Sequence, residues 1–243
     1  MKADILEELT SARRHDAGKA AKTRDFAAAF VGDGLHVIAE LKKASPSEGM
    51  IREDFRPREL AQALSGAGAA ALSVLAEPHR FLGSEEYVKE AREASDLPIL
   101  FKDFVSVPHQ ILAARAAGAD AVLLIAAVLD DAQLMELLLA ARTLGMEGLV
   151  ETHDEKEIGR AVGCGAKVVG VNCRNLRNFT TDTSISAGLL RKIPSGIVKI
   201  AESGIKTRED MLALREAGAN GFLIGTALMK AHDPAAKLKE LIG

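Results

Sequence analysis

Gly68-Ala-Ala-Ala-Leu-Ser-Val74 returns three more times in altered form: as Gly118-Ala-Asp-Ala-Val-Leu-Leu124, Gly165-Ala-Lys-Val-Val-Gly-Val171 and Gly218-Ala-Asn-Gly-Phe-Leu-Ile224. Each copy follows an Ala-rich, helix-favouring stretch and leads into an apolar run. The glycine fits the left-handed position that ends a helix. The continuous apolar run fits a strand buried on both faces, as in a parallel sheet. The copies start about 50 residues apart, too long for one βα unit but right for two. Four further candidate strands, 36–41, 97–101, 147–151 and 197–201, interleave with them. Eight strands alternating with helices across 36–240 predict an α/β fold of the (β/α)8 TIM-barrel class. A doubly wound open sheet is the competing architecture, but it usually has fewer strands and no such even spacing.

No linker, low-complexity tract or composition break divides the chain. Residues 1–243 are therefore expected to form one barrel domain, with 1–35 as an N-terminal helical extension. In that extension Ile5, Leu6 and Leu9 have helical spacing, and Thr23 to Phe30 reads as a second short helix. The segment could cap the barrel bottom or fold over its mouth, and the sequence leaves both open.

Composition narrows the function. A chain of 243 residues that is 48% hydrophobic can bury a sizeable core. A net charge of −3, with no long basic run, argues against a nucleic-acid partner. Cys164 and Cys173 form no disulfide framework and suit a reducing cytoplasm. No apolar stretch reaches the ~18 residues a membrane span needs. The N-terminus is too charged for a signal peptide. The expectation is a cytoplasmic, monomeric enzyme with no membrane partner.

In a barrel of this class the chemistry comes from the C-terminal ends of several strands. Those ends carry, in order, Glu40 and Lys42, Glu77, Lys102-Asp103, Glu151, Asn172 and Arg174, Glu202-Ser203-Gly204, and Gly225-Thr226. Glu40 and Lys42 stand at i and i+2, on one face of their strand, and Asn172 and Arg174 repeat that spacing. Only the fourth strand, ending Leu-Leu-Ile-Ala-Ala, offers an apolar wall. A single polar residue at a strand end is most simply solvated surface. Seven of eight ends bearing polar groups is not what independent surface placement produces. Gly204 and Gly225, after the last two strands, let a phosphate approach the backbone, and such barrels often bind phosphate there.

Ala39-Glu-Leu-Lys-Lys-Ala-Ser-Pro-Ser47, Leu100-Phe-Lys-Asp-Phe104, Leu149-Val-Glu151, Gly170-Val-Asn-Cys-Arg-Asn-Leu176, Ala201-Glu-Ser-Gly-Ile205 and Phe222-Leu-Ile-Gly-Thr-Ala-Leu-Met229 together resemble the indole-3-glycerol phosphate synthase family. The likeness runs from about residue 30 to 230, with every barrel strand in order. The phosphate loops alone would also fit phosphoribosylanthranilate isomerase or the tryptophan synthase α subunit.

The resemblance implies ring closure of 1-(2-carboxyphenylamino)-1-deoxyribulose 5-phosphate, with loss of CO₂ and water, without metal or redox cofactor. It implies Lys102 as general acid and Glu151 as general base. Lys42, held by Glu40, would bind the carboxylate or serve as a second acid, and Asn172 would orient the substrate. Ser203, Ser45, Arg174 and Glu202 would complete the polar shell. Gly204, Gly225 and Thr226 would hold the phosphate. Phe81, Phe104, Ile125 and Leu176 would sandwich the anthranilate ring, ordinary core being an equal reading of these four. Departures from the family pattern are Cys173, Asn175 in place of a frequent Asp, Lys43 in place of Arg, and Thr226 where Ser or Glu also occurs. A phosphosugar isomerase or aldolase on the same barrel, or a non-catalytic phosphate sensor, are the rival readings.

Overall fold

A computed structural model describes residues 22–172 and 183–243. Eight parallel strands close into a barrel: β1 (His36–Leu41), β2 (Ala71–Leu75), β3 (Ile99–Lys102), β4 (Ala121–Ile125), β5 (Glu147–Thr152), β6 (Val168–Asn172), β7 (Val198–Glu202) and β8 (Gly221–Ile224). Each pairs with its neighbours in sequence. β1 closes the ring on β8, with His36 opposite Gly221, and pairs with β2 on its other edge, with Ile38 opposite Ala71. The (β/α)8 barrel expected from the repeat is the fold observed.

Helices follow the strands: α1 (Pro57–Gly66), α2 (Glu85–Ala94), α3 (Pro108–Ala116), α4 (Asp131–Thr143), α5 (Glu155–Gly163), α6 (Thr183–Leu190), α7 (Arg208–Glu216), the single turn α8 (Thr226–Met229) and α9 (Pro234–Ile242). Their starts are chemically marked. Asp130, Asp154 and Thr207 accept the backbone N–H three residues on, satisfying donors that the first helical turn leaves open.

The sequence repeat is a repeated helix stop. Gly68, Gly118, Gly165 and Gly218 all have positive φ, between 83° and 103°. The alanine after each glycine donates its N–H back to a carbonyl five residues earlier: Ala69 to Leu64, Ala119 to Ala114, Ala166 to Ala161 and Ala219 to Leu214. Glycine adopts this conformation without steric cost, and the back-bond caps the helix before the chain enters the next strand.

Two apolar layers result. One lies between the strands and the helices, the other inside the barrel. The inner layer comprises Ile38, Ala71, Leu100, Ala121, Leu123, Ile125, Leu149, Val168, Ile200 and Leu223, joined by Phe26 and Phe30. Successive inward positions on a strand lie two residues apart. The inward column of β1 therefore runs from Ile38 to Glu40, that of β3 from Leu100 to Lys102, that of β5 from Leu149 to Glu151, and that of β7 from Ile200 to Glu202. Each is apolar at the bottom of the barrel and charged at the top.

Phe26 and Phe30 close the bottom. Their rings meet edge to face at 5.2 Å, and a side chain on Gly221 would strike the Phe30 ring. The described part of the N-terminal segment thus lies opposite the mouth. Only Ala27–Phe30 is helical there, as a 3₁₀ turn, and not the whole of Thr23 to Phe30. The Arg24 N–H is drawn instead to the buried Asp120 carboxylate, at 2.8 Å. Asp120 also accepts the Ile99 N–H and the Arg92 guanidinium, both at 2.9 Å, tying the segment to the entry of β3 and β4. Ile5, Leu6 and Leu9 fall outside the described residues.

Replacing Phe30 by Ala should reduce the free energy of unfolding by about 3–5 kcal/mol, the cost of emptying a well-packed aromatic site. Urea denaturation measures the loss.

Candidate active site

The strand ends converge on one cavity of about 710 Å³ at the C-terminal mouth of the barrel. Fourteen of the sixteen site residues expected from the sequence line it: Glu40, Lys42, Ser45, Phe81, Lys102, Phe104, Ile125, Glu151, Asn172, Glu202, Ser203, Gly204, Gly225 and Thr226. Arg174 and Leu176 lie outside the described residues, as do Cys173 and Asn175.

Lys102 is the centre of the charge arrangement. Its ammonium is 3.3 Å from Glu151 Oε2 and 4.0 Å from Glu202 Oε2. Beside it, Lys42 Nζ donates to Glu40 Oε1 at 2.6 Å. All five side chains are largely withdrawn from solvent, so their charges act on one another with little screening. Burial opposes the Lys102 charge, but the carboxylates of Glu151, Glu202 and Glu40 outweigh it and hold the ammonium above the ordinary lysine range. Burial likewise opposes the Glu151 charge, and Lys102, His153 and Asn172 overcome it, holding Glu151 well below the ordinary carboxylate range. Glu40 is lowered too: Lys42 and Lys102 prevail over burial. Glu202 goes the other way. Burial and the neighbouring Glu151 charge raise it, with Lys102 only partly compensating, so it is the carboxyl that retains a proton most readily.

Glycines make room for this layer. A side chain on Gly170 would occupy the position of Glu202 Oε1, and one on Gly225 would meet Glu40 Oε1. Neighbouring strands thus leave space for the long charged groups of β1 and β7. The two glycine-bearing loops flank the same cavity. Ser203 and Gly204 both have left-handed backbone, with φ of 65° and 74°. For Ser203 that conformation costs roughly 1–2 kcal/mol. Thr226 opens α8 immediately after Gly225.

An apolar side faces the charges. Phe81 and Phe104 are tilted against each other with ring centroids 6.3 Å apart. Phe104 is 51% exposed at the rim, which is not the environment of an ordinary core residue. Ile125 belongs both to the barrel core and to the cavity wall. Glu77 fixes the loop that carries Phe81: its carboxylate accepts the N–H groups of His79, Arg80 and Phe81 at 2.9, 2.6 and 2.9 Å. Among the described residues no group of three or more His, Cys, Asp or Glu side chains is arranged to hold a metal ion. Nor is any described helix long and apolar enough to cross a membrane.

A model of the indole-3-glycerol phosphate synthase family matches residues 2–241. The chain belongs to this family. It is 49% identical over 227 residues to indole-3-glycerol phosphate synthase 2 of Streptomyces coelicolor, covering 93% of this chain and 88% of that one. It is 46% identical over 243 residues to the indole-3-glycerol phosphate synthase of Albidiferax ferrireducens, covering 98% and 92%. Among solved structures, a mutant tryptophan synthase α subunit from Pyrococcus furiosus superposes with a TM-score of 0.66 at 20% identity, over 87% of this chain and 99% of that one. That level of identity carries the fold alone.

Against the family background, some cavity residues were not expected from the sequence. Arg80, Lys206 and Lys230 add three cations to the lining, and Glu48 pairs with Lys230 at 2.5 Å. Arg80 and Lys230 sit beyond strand ends, in positions where solvated surface is the simplest reading of a basic residue. His153 gave no signal as a metal ligand, yet Nε2 lies 3.3 Å from Glu151 Oε1. Its i, i+2 spacing from Glu151 was the available clue.

Burial works against a charge on His153, but Glu151 and Glu157 prevail and raise its pKa to about 9. A raised folded-state value stabilises the fold fully below the unfolded histidine value of about 6.5, and the contribution disappears as pH rises through about 9. The stability difference between the wild-type chain and His153→Gln should therefore shrink between about pH 6 and about pH 10. Denaturation midpoints across that range measure it.

Proposed function

We propose that the cavity binds 1-(2-carboxyphenylamino)-1-deoxyribulose 5-phosphate and closes the indole ring. The observation that carries this reading is a buried ammonium, Lys102, set between Glu151 and Glu202 in a chain of the indole-3-glycerol phosphate synthase family. The phosphate goes to the Gly204 and Gly225-Thr226 loops, where backbone approach is unhindered. The anthranilate ring goes between Phe81, Phe104 and Ile125, and its carboxylate to Lys42.

With the substrate so held, the ring carbon bearing the carboxylate attacks the ketone carbon. Lys102 gives its proton to the ketone oxygen as the C–C bond forms. Loss of CO₂ returns the C–C bonding pair to the ring and restores aromaticity. Lys42, the second ammonium in the cavity, then protonates the new hydroxyl, which leaves as water while Glu151 removes the proton from the neighbouring carbon to complete the indole; that proton and one from solvent recharge the two lysines. Glu151 suits the second role because its neighbours keep it ionised, and Lys102 suits the first because its neighbours keep it charged. Asn172, which hydrogen-bonds Glu151, keeps that carboxylate and the substrate in register. Ser45, Ser203 and Glu202 supply the remaining polar contacts.

The same charge state argues against an aldolase. A Schiff-base lysine must be a neutral amine, whereas three carboxylates hold Lys102 protonated. We place the enzyme in the reducing cytoplasm, in keeping with its two cysteines.

Incubation with the carboxyphenylamino-deoxyribulose phosphate should yield a fluorescent indole product, detectable without interference because the chain has no Trp. Lys102→Ala should lower turnover by roughly two to four orders of magnitude, the usual contribution of a positioned acid. Its urea midpoint should also fall, because the buried carboxylates lose their partner, so turnover is compared per folded molecule. A variant turning over at near wild-type rate would remove Lys102 as the acid.

A further inference from the structure

The two oxygens of Glu151 have different neighbours. Oε2 is 3.3 Å from Lys102, on the cavity side, while Oε1 is 3.3 Å from His153 Nε2. The imidazole does not line the cavity; it stands behind Glu151. Its own orientation is fixed from the other side. Nδ1 lies 3.1 Å from Glu157 Oε2, and the His153 backbone N–H donates to the same oxygen at 2.8 Å. Glu157 sits in the first turn of α5, and its N–H is held by the Asp154 cap at 2.8 Å. A continuous set of contacts therefore runs from a helix start, through an imidazole gripped at two points, to one oxygen of a carboxylate in the cavity.

We propose that His153 is a positioning residue for Glu151: anchored on Glu157, it engages Oε1 so that Oε2 stays turned to Lys102 and to the substrate. The proposal rests on Glu151 acting as the base. Two carboxylates facing the ring, Glu151 from β5 and Glu157 from α5, favour the charged imidazolium even against burial. Nδ1 is hydrogen-bonded to Glu157, and Nε2 meets Glu151 Oε1 as a charge contact at 3.3 Å without hydrogen-bond geometry. The imidazolium in turn helps hold Glu151 ionised. A base that swings freely between rotamers spends less time in the reactive geometry, and misplacements of about an ångström cost roughly two orders of magnitude in rate.

The test is the pH dependence of steady-state turnover of the carboxyphenylamino-deoxyribulose phosphate by the wild-type chain, His153→Ala, His153→Gln and Glu151→Gln. Rates are taken per folded molecule, judged by circular dichroism. His153→Ala should lose roughly 10- to 100-fold in kcat with less than about a threefold change in KM. Its acidic limb should move to higher pH, because Glu151 loses a neighbouring positive charge. His153→Gln keeps a donor but no charge. It should recover part of the rate and retain the shifted limb, and it covers the case in which the alanine variant does not fold. His153 variants with a wild-type kcat and an unmoved limb, beside an impaired Glu151→Gln, would overturn the positioning role alone. A Glu151→Gln chain at wild-type rate would remove the base and the positioning role together.

Discussion

A lysine ammonium sealed among three carboxylates is the constraint around which this molecule is arranged. An isolated buried charge is costly, and it persists only where partners surround it. Lys102 comes from β3, Glu40 from β1, Glu151 from β5 and Glu202 from β7. No two of them are adjacent in sequence, and only a closed ring of parallel strands brings alternate strands to a common axis. The fold holds the charges, and the charges fill the top of the barrel with groups that discharge one another. Because three carboxylates share two nearby lysines, they do not titrate alike: Glu40 and Glu151 stay ionised and Glu202 is pressed towards its acid form. With Lys102 held protonated and Glu151 held ionised, one cluster presents an acid and a base at the same time, as the proposed ring closure and dehydration require.

The packing below makes this layer possible. Leucine, isoleucine and valine fill the barrel interior beneath the charges, and Phe26 and Phe30 plug its far end. Water therefore reaches the charged layer from the mouth. Gly170 and Gly225 remove side chains where Glu202 and Glu40 need room. In the loop after β7 Ser203 is left-handed beside Gly204, a conformation unusual for serine. Energy is spent on local geometry at the ligand end, while the opposite end is conventional aromatic and aliphatic packing.

The barrel was legible because its signal is periodic. Gly68, Gly118, Gly165 and Gly218 mark helix stops that only a left-handed residue satisfies, and each is followed by an apolar strand. Strand starts were less legible. The third strand begins at Ile99 and not at residue 97, since Pro98 has no N–H to give to a ladder. The site was legible where inward positions step by two, as in Glu40 and Lys42. What the sequence did not disclose depends on contacts across the fold. Asp120 looks like one more polar residue in a repeat, yet it binds Arg24, Arg92 and Ile99. His153 is the local exception, two residues after Glu151 and four before Glu157, a spacing that acquires meaning once the strand end and the helix start are placed. Lys230 gains its meaning from Glu48, 182 residues away.

The protonation state of Lys102 tests the account most directly. With lysine side chains labelled at the ε-position, NMR titration of the wild-type chain, assigned through Lys102→Arg, reads that one ammonium. It should remain protonated beyond the unperturbed lysine value of about 10.4. A midpoint near neutrality would mean that the carboxylates do not surround the amine in solution.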